Sequence, residues 1–493
     1  MSGLYIRPDA LFFRPLLDRR LIGKLLLKSL LFIIGTYAPV GLASEPDYSA
    51  ELERYVQQGL ENNPALKKRE FDLEAEQAFL KSLRAQYKPE VNLNARVSAS
   101  EGGRTIDFPA GDLLNPVYNA LNDQSQAQGN GRPFPTVENQ SVPLLREFEQ
   151  DTRLVMRGPI YAPKLDNQVE AQNSNVGTTQ AARALFAEQL EKDLRVAYWQ
   201  AVQAQAQMQV LQTSLSTLKE NQRVNEALYE AGQVTLDEPK RAEAETLSLQ
   251  VTLERAQLQF QLAKELFNTL RNQPSDSPLI LPSHQALVRQ IDTLQADLKI
   301  KPSNKYPTAL RQVESGLASL QSLALAAKAA KKPELGYQVE AGYQGESYSS
   351  GPNRGFATAS VVMTWSLWDS GRRTAEVSQA NAELKAAQEE RTALLRNLHL
   401  EQLRAKQTLA ISLNAIQARE LATKAAEESF RISQRKRDAG EISQVEFLNT
   451  EQLTTRSRIA LIDAICQAYI DHANWQLNNH QIPEIVVVNG GQP

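Results

Sequence analysis

The chain is poor in cysteine and aromatic residues, has no excess charge of either sign and, beyond its first forty-odd residues, contains no long apolar run. The single cysteine among 493 residues, Cys466, excludes an intrachain disulfide and suits small core filler. Aromatics make up 6% of the chain and the mean hydropathy is -0.41, low for large compact cores and better suited to extended helices. Lys+Arg 54 nearly balance Asp+Glu 57, which excludes the strong basic surplus that draws proteins onto nucleic acid. Four scattered histidines, His284, His399, His472 and His480, lack the cysteine or closely spaced histidine partners of a transition-metal site, and His472 and His480 are expected on a surface or a helix seam. Nucleophile-elbow, P-loop and dinucleotide fingerprints are missing too, so neither an enzyme nor a cofactor is expected, and any transport must draw its energy from elsewhere. With no apolar run of about 18 residues after the N-terminal region, membrane entry would require a β-barrel.

At the N-terminus Arg7, Arg14, Arg19, Arg20, Lys24 and Lys28 precede the apolar run 30–34 and then Gly41, Leu42 and Ala43. A basic region, a short apolar region and small residues before a cut make a secretory signal, with cleavage expected after Ala43.

The rest of the chain uses one unit twice. Asn63-Pro64-Ala65-Leu66 pairs with Tyr306-Pro307-Thr308-Ala309-Leu310, and Lys88-Pro89-Glu90-Val91 with Lys332-Pro333-Glu334-Leu335. Val155-Met156 matches Val362-Met363, and Ala231-Gly232-Gln233-Val234 matches Ala439-Gly440-Glu441-Ile442. The copies are offset by 244 residues at Pro89 and Pro333 but by 208 at Gly232 and Gly440, so the first carries 36 extra residues. They fall in the Gly/Pro/Asn/Gln-rich tract 101–150, which reads as a long loop. The landmarks set bounds: a signal segment over 1–43, a first repeat over 44–272, a linking segment over 273–302, a second repeat over 303–480 and a tail over 481–493.

Strict alternation predicts strands over about 89–100, 152–162, 333–347 and 354–369. Val91, Leu93, Ala95, Val97 and Ala99 alternate with Asn92, Asn94, Arg96 and Ser98. Leu335, Tyr337, Val339, Ala341 and Tyr343 alternate with Gly336, Gln338, Glu340 and Gly342, and Ala357, Ala359, Val361 and Met363 with Thr358, Ser360 and Thr364. This is the length and pattern of tilted membrane β-strands, and Tyr343, Tyr348, Phe356, Trp365 and Trp368 suit an interface girdle. A soluble sandwich hairpin would alternate in the same way. Four strands are too few to close a membrane barrel, whose minimum is about eight, so several subunits must share one.

Between the strand pairs proline is missing over 164–238 and 353–481, and good helix formers dominate. A continuous helix from Gly371 to Gly440 would run roughly 100 Å. A thin apolar seam, Val445, Leu448, Ile459, Ile462, Cys466, Tyr469 and Ala473, implies coiled-coil packing that leaves wet faces. Gly232 and Gly440 are expected as left-handed residues that end helices and make hairpin turns, with Pro239 in the first turn of the helix that follows.

With these elements in this order, twice, the sequence resembles the TolC-like family of outer-membrane efflux and secretion channels over about 48–477. The resemblance rests on Asn63-Pro64-Ala65-Leu66 with its strand start downstream, and on the Ala-Gly turns followed by Glu238 and Glu446. It implies an α+β membrane protein: a homotrimer whose β-barrel of about twelve strands lies in the outer membrane lipid and continues into a periplasmic α-helical barrel closed at its tip. It implies a passive exit duct, opened when a periplasmic adaptor and an inner-membrane ABC or proton-driven pump engage the hairpin turns near Gly232 and Gly440. Segments 273–302 and 481–493 are similar to the equatorial elements around such tunnels. By position, Glu446 and Asn449 resemble the pair that lines the tightest entrance as acidic rings, here with one acidic member replaced. Arg437 and Ile442 stand where relatives can have a locking tyrosine and arginine; Arg437 or Arg435 pairing with Asp237 or Glu238 would substitute for that lock. The alternatives are a periplasmic adaptor or coiled-coil scaffold, which needs one helical hairpin flanked by compact β domains, and a secreted fibre protein.

Overall fold

The computed structural model describes residues 48–289, 291–299, 305–347 and 355–480; the expected signal segment, the tail and Tyr348 lie outside them. From Tyr48 on, the chain forms one unit. The first copy runs through helices α1 (Tyr48–Asn62) and α2 (Pro64–Ala85), strand β1 (Glu90–Ala99), an insertion made of β2 (Thr105–Phe108), α3 (Ala110–Ala127) and β3 (Gln140–Pro143), then β4 (Phe148–Tyr161), α4 (Pro163–Glu230) and α5 (Asp237–Leu270). Two short helices follow, α6 (His284–Arg289) and α7 (Ile291–Leu298). The second copy is α8 (Thr308–Ala329), β5 (Glu334–Gly345), β6 (Gly355–Thr364), α9 (Arg372–Asp438) and α10 (Gln444–Asn478).

Long helices form where proline is missing. α4 has 68 residues and α9 has 67, each about 100 Å at 1.5 Å per residue. Two further pairs of helices match between the copies, α2 and α5 of 22 and 34 residues in the first, α8 and α10 of 22 and 35 in the second. The Asn-Pro landmark starts α2: the Asn63 side chain accepts from the backbone N–H groups of Ala65 and Leu66 at 2.9 and 3.2 Å, and Pro64 occupies a first-turn position where its missing N–H leaves no bond unmade. Asn63 Nδ2 also donates to the carbonyl of Leu270 at 3.0 Å, tying that start to the end of α5. The second copy has Pro307 at the cap without a side-chain bond; both landmarks nonetheless carry a leucine, Leu66 or Leu310, into the interior.

The main core gathers α1, α4, α5, α9 and α10 around Leu194, Tyr198, Phe267, Leu409 and Ile465. Residues between α5 and α7 are strapped to it by tyrosines. Tyr198 Oη donates to the Ile280 carbonyl at 3.2 Å, Tyr55 Oη accepts from the Ile280 N–H at 3.1 Å, and Tyr469 Oη donates to the Leu287 carbonyl at 2.9 Å. His472, expected on a surface or seam, packs against Trp475 and bonds Asp297 of α7 at 2.9 Å; burial pushes its pKa down against the pull of that carboxylate.

Two expectations are corrected. The tract 101–150 is not a loop throughout: β2, α3 and β3 fill most of it, held by asparagine side chains, and β4 begins at Phe148. The seam of α10 does not start on Val445 and Leu448. Val445 is exposed, and Gln444, Phe447, Glu451, Thr454 and Thr455 are buried instead. The reason is polar pairing with α4: Asn225 Nδ2 donates to Gln444 Oε1 at 3.2 Å, and the Ser214 hydroxyl donates to the Glu451 carboxylate.

Candidate barrel wall and helical tip

The four principal strands form one antiparallel sheet in the order β1-β4-β5-β6. Its register decides which side chains share a face. Val91 lies beside Met156, Met156 beside Val339 and Val339 beside Ala359; Leu93, Leu154, Ala341 and Ala357 make the next such row. Alternating with these rows run Asn92, Val155, Glu340 and Thr358, and Asn94, Arg153, Gly342 and Phe356. One face is thus apolar across all four strands and the other predominantly polar, while β1 and β6 remain edges. Such a sheet needs solvents of opposite character on its two sides, or a core on one of them.

On the polar face Arg153 is the hub. It pairs with Asp151 on its own strand, reaches Glu340 of β5 at 3.0 Å, and lies 5.4 Å over the ring of Phe356 of β6. Gly342, directly across from Arg153, makes this crossing possible: a Cβ there would stand 2.3 Å from the Thr152 carbonyl oxygen and 2.7 Å from Arg153 Cα. Phe356 therefore belongs to the polar face and not to the expected girdle, whereas Tyr343, Trp365 and Trp368 are exposed. The strand expected to reach 369 stops short, since β6 ends at Thr364; beyond it the Trp365 indole donates to the Lys331 carbonyl at 3.1 Å.

At the far end of the long helices the two hairpin turns are built alike. Gly232 and Gly440 have φ of +70° and +71°. Gly232 N–H donates to the Tyr229 carbonyl at 2.9 Å and Gln233 N–H to Leu228 at 2.9 Å; Gly440 and Glu441 donate to Arg437 and Lys436 at 2.8 Å each. These paired bonds satisfy the last carbonyls of α4 and α9 and demand a left-handed residue at each glycine. The space around both is open. Gly232→Ala and Gly440→Ala should therefore each cost about 1–2 kcal/mol from backbone conformation alone, read as faster amide hydrogen exchange at the turns; Asn at the same positions should cost less.

Asp237 and Glu238 open α5, where negative charge offsets the helix dipole, and the Thr235 hydroxyl donates to Asp237. Ser443 caps α10, its hydroxyl accepting from the Glu446 N–H at 3.2 Å. Glu446 thus holds the third position of a Ser-x-x-Glu cap, a local role that the sequence spells out directly. The Glu446 and Asn449 side chains are both exposed and sit one turn apart on α10.

Arg437 does not pair with Asp237 or Glu238. Its guanidinium lies 4.2 Å over the ring of Phe447, which itself packs 5.6 Å from Phe430. Burial pushes the Arg437 pKa below the usual arginine range, opposed by Asp438 and Glu238, so Glu238 acts on it through space without an ion pair. No ion pair joins Arg435 to either acid among the described residues. Phe447, Gln444 and the buried α4 residues Ser214, Asn221 and Asn225 escape a reading by apolar spacing, yet 214, 218, 221 and 225 follow seam spacing with polar residues at three of the four positions.

Residues 307–474 match the family model for outer membrane efflux protein. Among solved structures, the chain resembles the outer membrane protein VceC from Vibrio cholerae with a TM-score of 0.68 and 16% identity, over 88% of this chain and 97% of that one. It resembles the CmeC outer membrane channel of Campylobacter jejuni with a TM-score of 0.70 and 14% identity, over 88% and 87%, and the open state of the Neisseria gonorrhoeae MtrE channel with 0.67 and 17%, over 87% and 88%. No curated protein matches the chain.

Proposed function

Since residues 307–474 match the family model for outer membrane efflux protein and most of the chain has the fold of outer-membrane channels, we propose that this protein is the outer-membrane exit duct of a tripartite efflux or type I secretion system. The observation that carries this reading is the two-faced, four-stranded sheet with two free edges. In lipid an open edge leaves backbone groups unpaired at several kcal/mol each. Three copies joined β6 to β1 close a barrel of about twelve strands, apolar face to lipid and polar face to the lumen. The long helices then continue this wall through the periplasm.

Exposed apolar stripes support sharing of the helical wall as well. Leu247, Val251, Leu258 and Leu262 on α5, and Leu400, Leu403, Ile411 and Leu421 on α9, lie open in the single chain. Such stripes are the surfaces that neighbouring copies cover. Conduction is passive. The hairpin turns at Gly232 and Gly440 are the docking points for a periplasmic adaptor working with an inner-membrane ABC or proton-driven pump, and Arg437, Asp237, Glu238, Glu446 and Asn449 control the entrance. The polar seam between α4 and α10 favours opening there, because little apolar surface is lost when the two hairpins part.

With Glu446 facing the pore, each trimer presents one ring of carboxylates where Asn449 leaves the second ring uncharged. Glu446→Lys reverses that ring and should lower cation selectivity in planar bilayers, with conductance altered; Glu446→Gln, which keeps the helix start, separates charge from capping. Unchanged selectivity in both variants removes Glu446 from the pore. The reading as a whole is tested by fractionation and by the mass of the detergent-solubilised particle: outer-membrane residence at three times the mature chain mass supports it, and a soluble monomer ends it.

A further inference from the structure

The insertion between β1 and β4 is built inside out. Helix α3 turns Gly111, Asn115, Tyr118, Asn122 and Ser125 toward its own module, while Leu113, Leu114, Val117 and Leu121 are exposed on a separate face, roughly 110° round the helix. Apart from the Tyr118 ring, 5.6 Å from that of Phe134, what holds α3 down is polar. Asn115 and Val137 exchange two bonds of 2.8 Å, Asn122 and Phe134 exchange bonds of 2.8 and 2.9 Å, and Asn139 bonds both the backbone and the carboxylate of Asp112 at 3.1 Å. Gly111 lets the segment before β3 come close, since a Cβ there would meet the Val137 carbonyl at 2.4 Å.

The ribbon beside it repeats the inversion. Ile106 pairs with Val142 and Phe108 with Gln140, and Leu144 N–H continues the ladder to the Arg104 carbonyl at 2.8 Å. Ile106, Phe108, Val142 and Leu144 therefore share one face, and all are exposed; Asp107 and Ser141 bond each other on the other face. A two-stranded ribbon with its whole apolar face in water is marginal, and contiguous apolar patches of this kind mark contact surfaces.

We propose that this module is a clasp between subunits: the exposed faces of α3 and of the β2–β3 ribbon pack against the same module of neighbouring copies, at the end of the barrel away from the helices. The inference rests on the shared-barrel reading above. Two observations select a second copy as the occupant. The module springs from the β1–β4 pair at one edge of the sheet, the edge that the shared barrel puts at the subunit boundary. Residues 101–147 carry six acidic side chains against three arginines, the wrong sign for a phosphate-bearing lipid surface, which attracts basic clusters.

The test uses the full chain in outer-membrane vesicles, with Cys466 buried and out of reach. Val117→Cys treated with a short bifunctional maleimide should give cross-linked dimers on denaturing gels, several-fold more than Asn119→Cys on the other side of α3. Val117→Asp should make the oligomer dissociate at lower temperature in detergent. A particle of trimer mass that shows neither effect overturns the clasp alone; a monomeric particle overturns the channel reading. A fluorophore at Val117→Cys that is quenched by spin-labelled lipid, with no cross-linking, assigns the face to lipid and also overturns the clasp.

Discussion

Tyr198→Ala should be the most destabilising single truncation in the helical part, at about 3–5 kcal/mol. The side chain is fully buried, with ring centroids 5.2 Å from Trp199, 5.7 Å from Phe267 and 6.4 Å from Tyr55. Burial raises the pKa of its hydroxyl, which stays protonated to donate to the Ile280 carbonyl. Truncation opens a cavity between α1, α4 and α5 and releases one of the two tyrosine clamps on Ile280. Tyr198→Phe keeps the ring and loses only the hydrogen bond, about 1 kcal/mol. Unfolding of the detergent-solubilised protein, followed by far-ultraviolet circular dichroism, should rank the two variants in that order. If Tyr198→Ala unfolds with Tyr198→Phe, the aromatic cluster is not what joins these helices to the segment after α5.

In the proposed shared barrel, Gly342→Val should abolish assembly in the membrane. The added Cβ would meet backbone atoms, the Thr152 oxygen at 2.3 Å and Arg153 Cα at 2.7 Å, and backbone cannot rotate aside as a side chain can. These atoms lie on the β4–β5 pair, the junction between the two copies of the repeat. In the proposed barrel, parting that pair would strand N–H and carbonyl groups where no water replaces the lost bonds, at several kcal/mol each. It also pulls Arg153 from Glu340 and Phe356. Gly316→Ala is the matched control: in α8 the added methyl meets only Thr178 Oγ1, at 3.9 Å, and alanine favours the helix by up to about 1 kcal/mol. Heat-resistant oligomers on mild denaturing gels should vanish for Gly342→Val and persist for Gly316→Ala; equal behaviour would show that close strand approach at Gly342 is dispensable.

Much of this architecture is legible in the residues, for identifiable reasons. Period-two alternation in 91–99 and 335–343 reports a strand whose faces meet different surroundings, and the register places those alternating residues in shared rows. Runs without proline report α4 and α9, and an Ala-Gly pair at the end of a run reports a turn that needs positive φ. The insertion was hidden because its helix is held by Asn115, Asn122 and Asn139, and a reading tuned to apolar spacing takes asparagine as loop. The start of α10 misled for the same reason, since Gln444 and Glu451 are buried against Asn225 and Ser214. Arg437 could not be assigned a partner from charge because its partner, Phe447, has none.

The helix lengths of the two copies have a further consequence. The pairs are 22 and 22, 68 and 67, and 34 and 35 residues long, although the copies differ by 36 residues between the same landmarks. Between these landmarks the length difference falls in the strand-side insertion, while the three matched pairs of helices keep step. The helices act as a ruler: a chain that lost a turn from α4 would need matching losses in α5, α9 and α10 before the two hairpins were equal in length again. The length of the helical part is therefore a quantity that such a chain can change only in concerted steps.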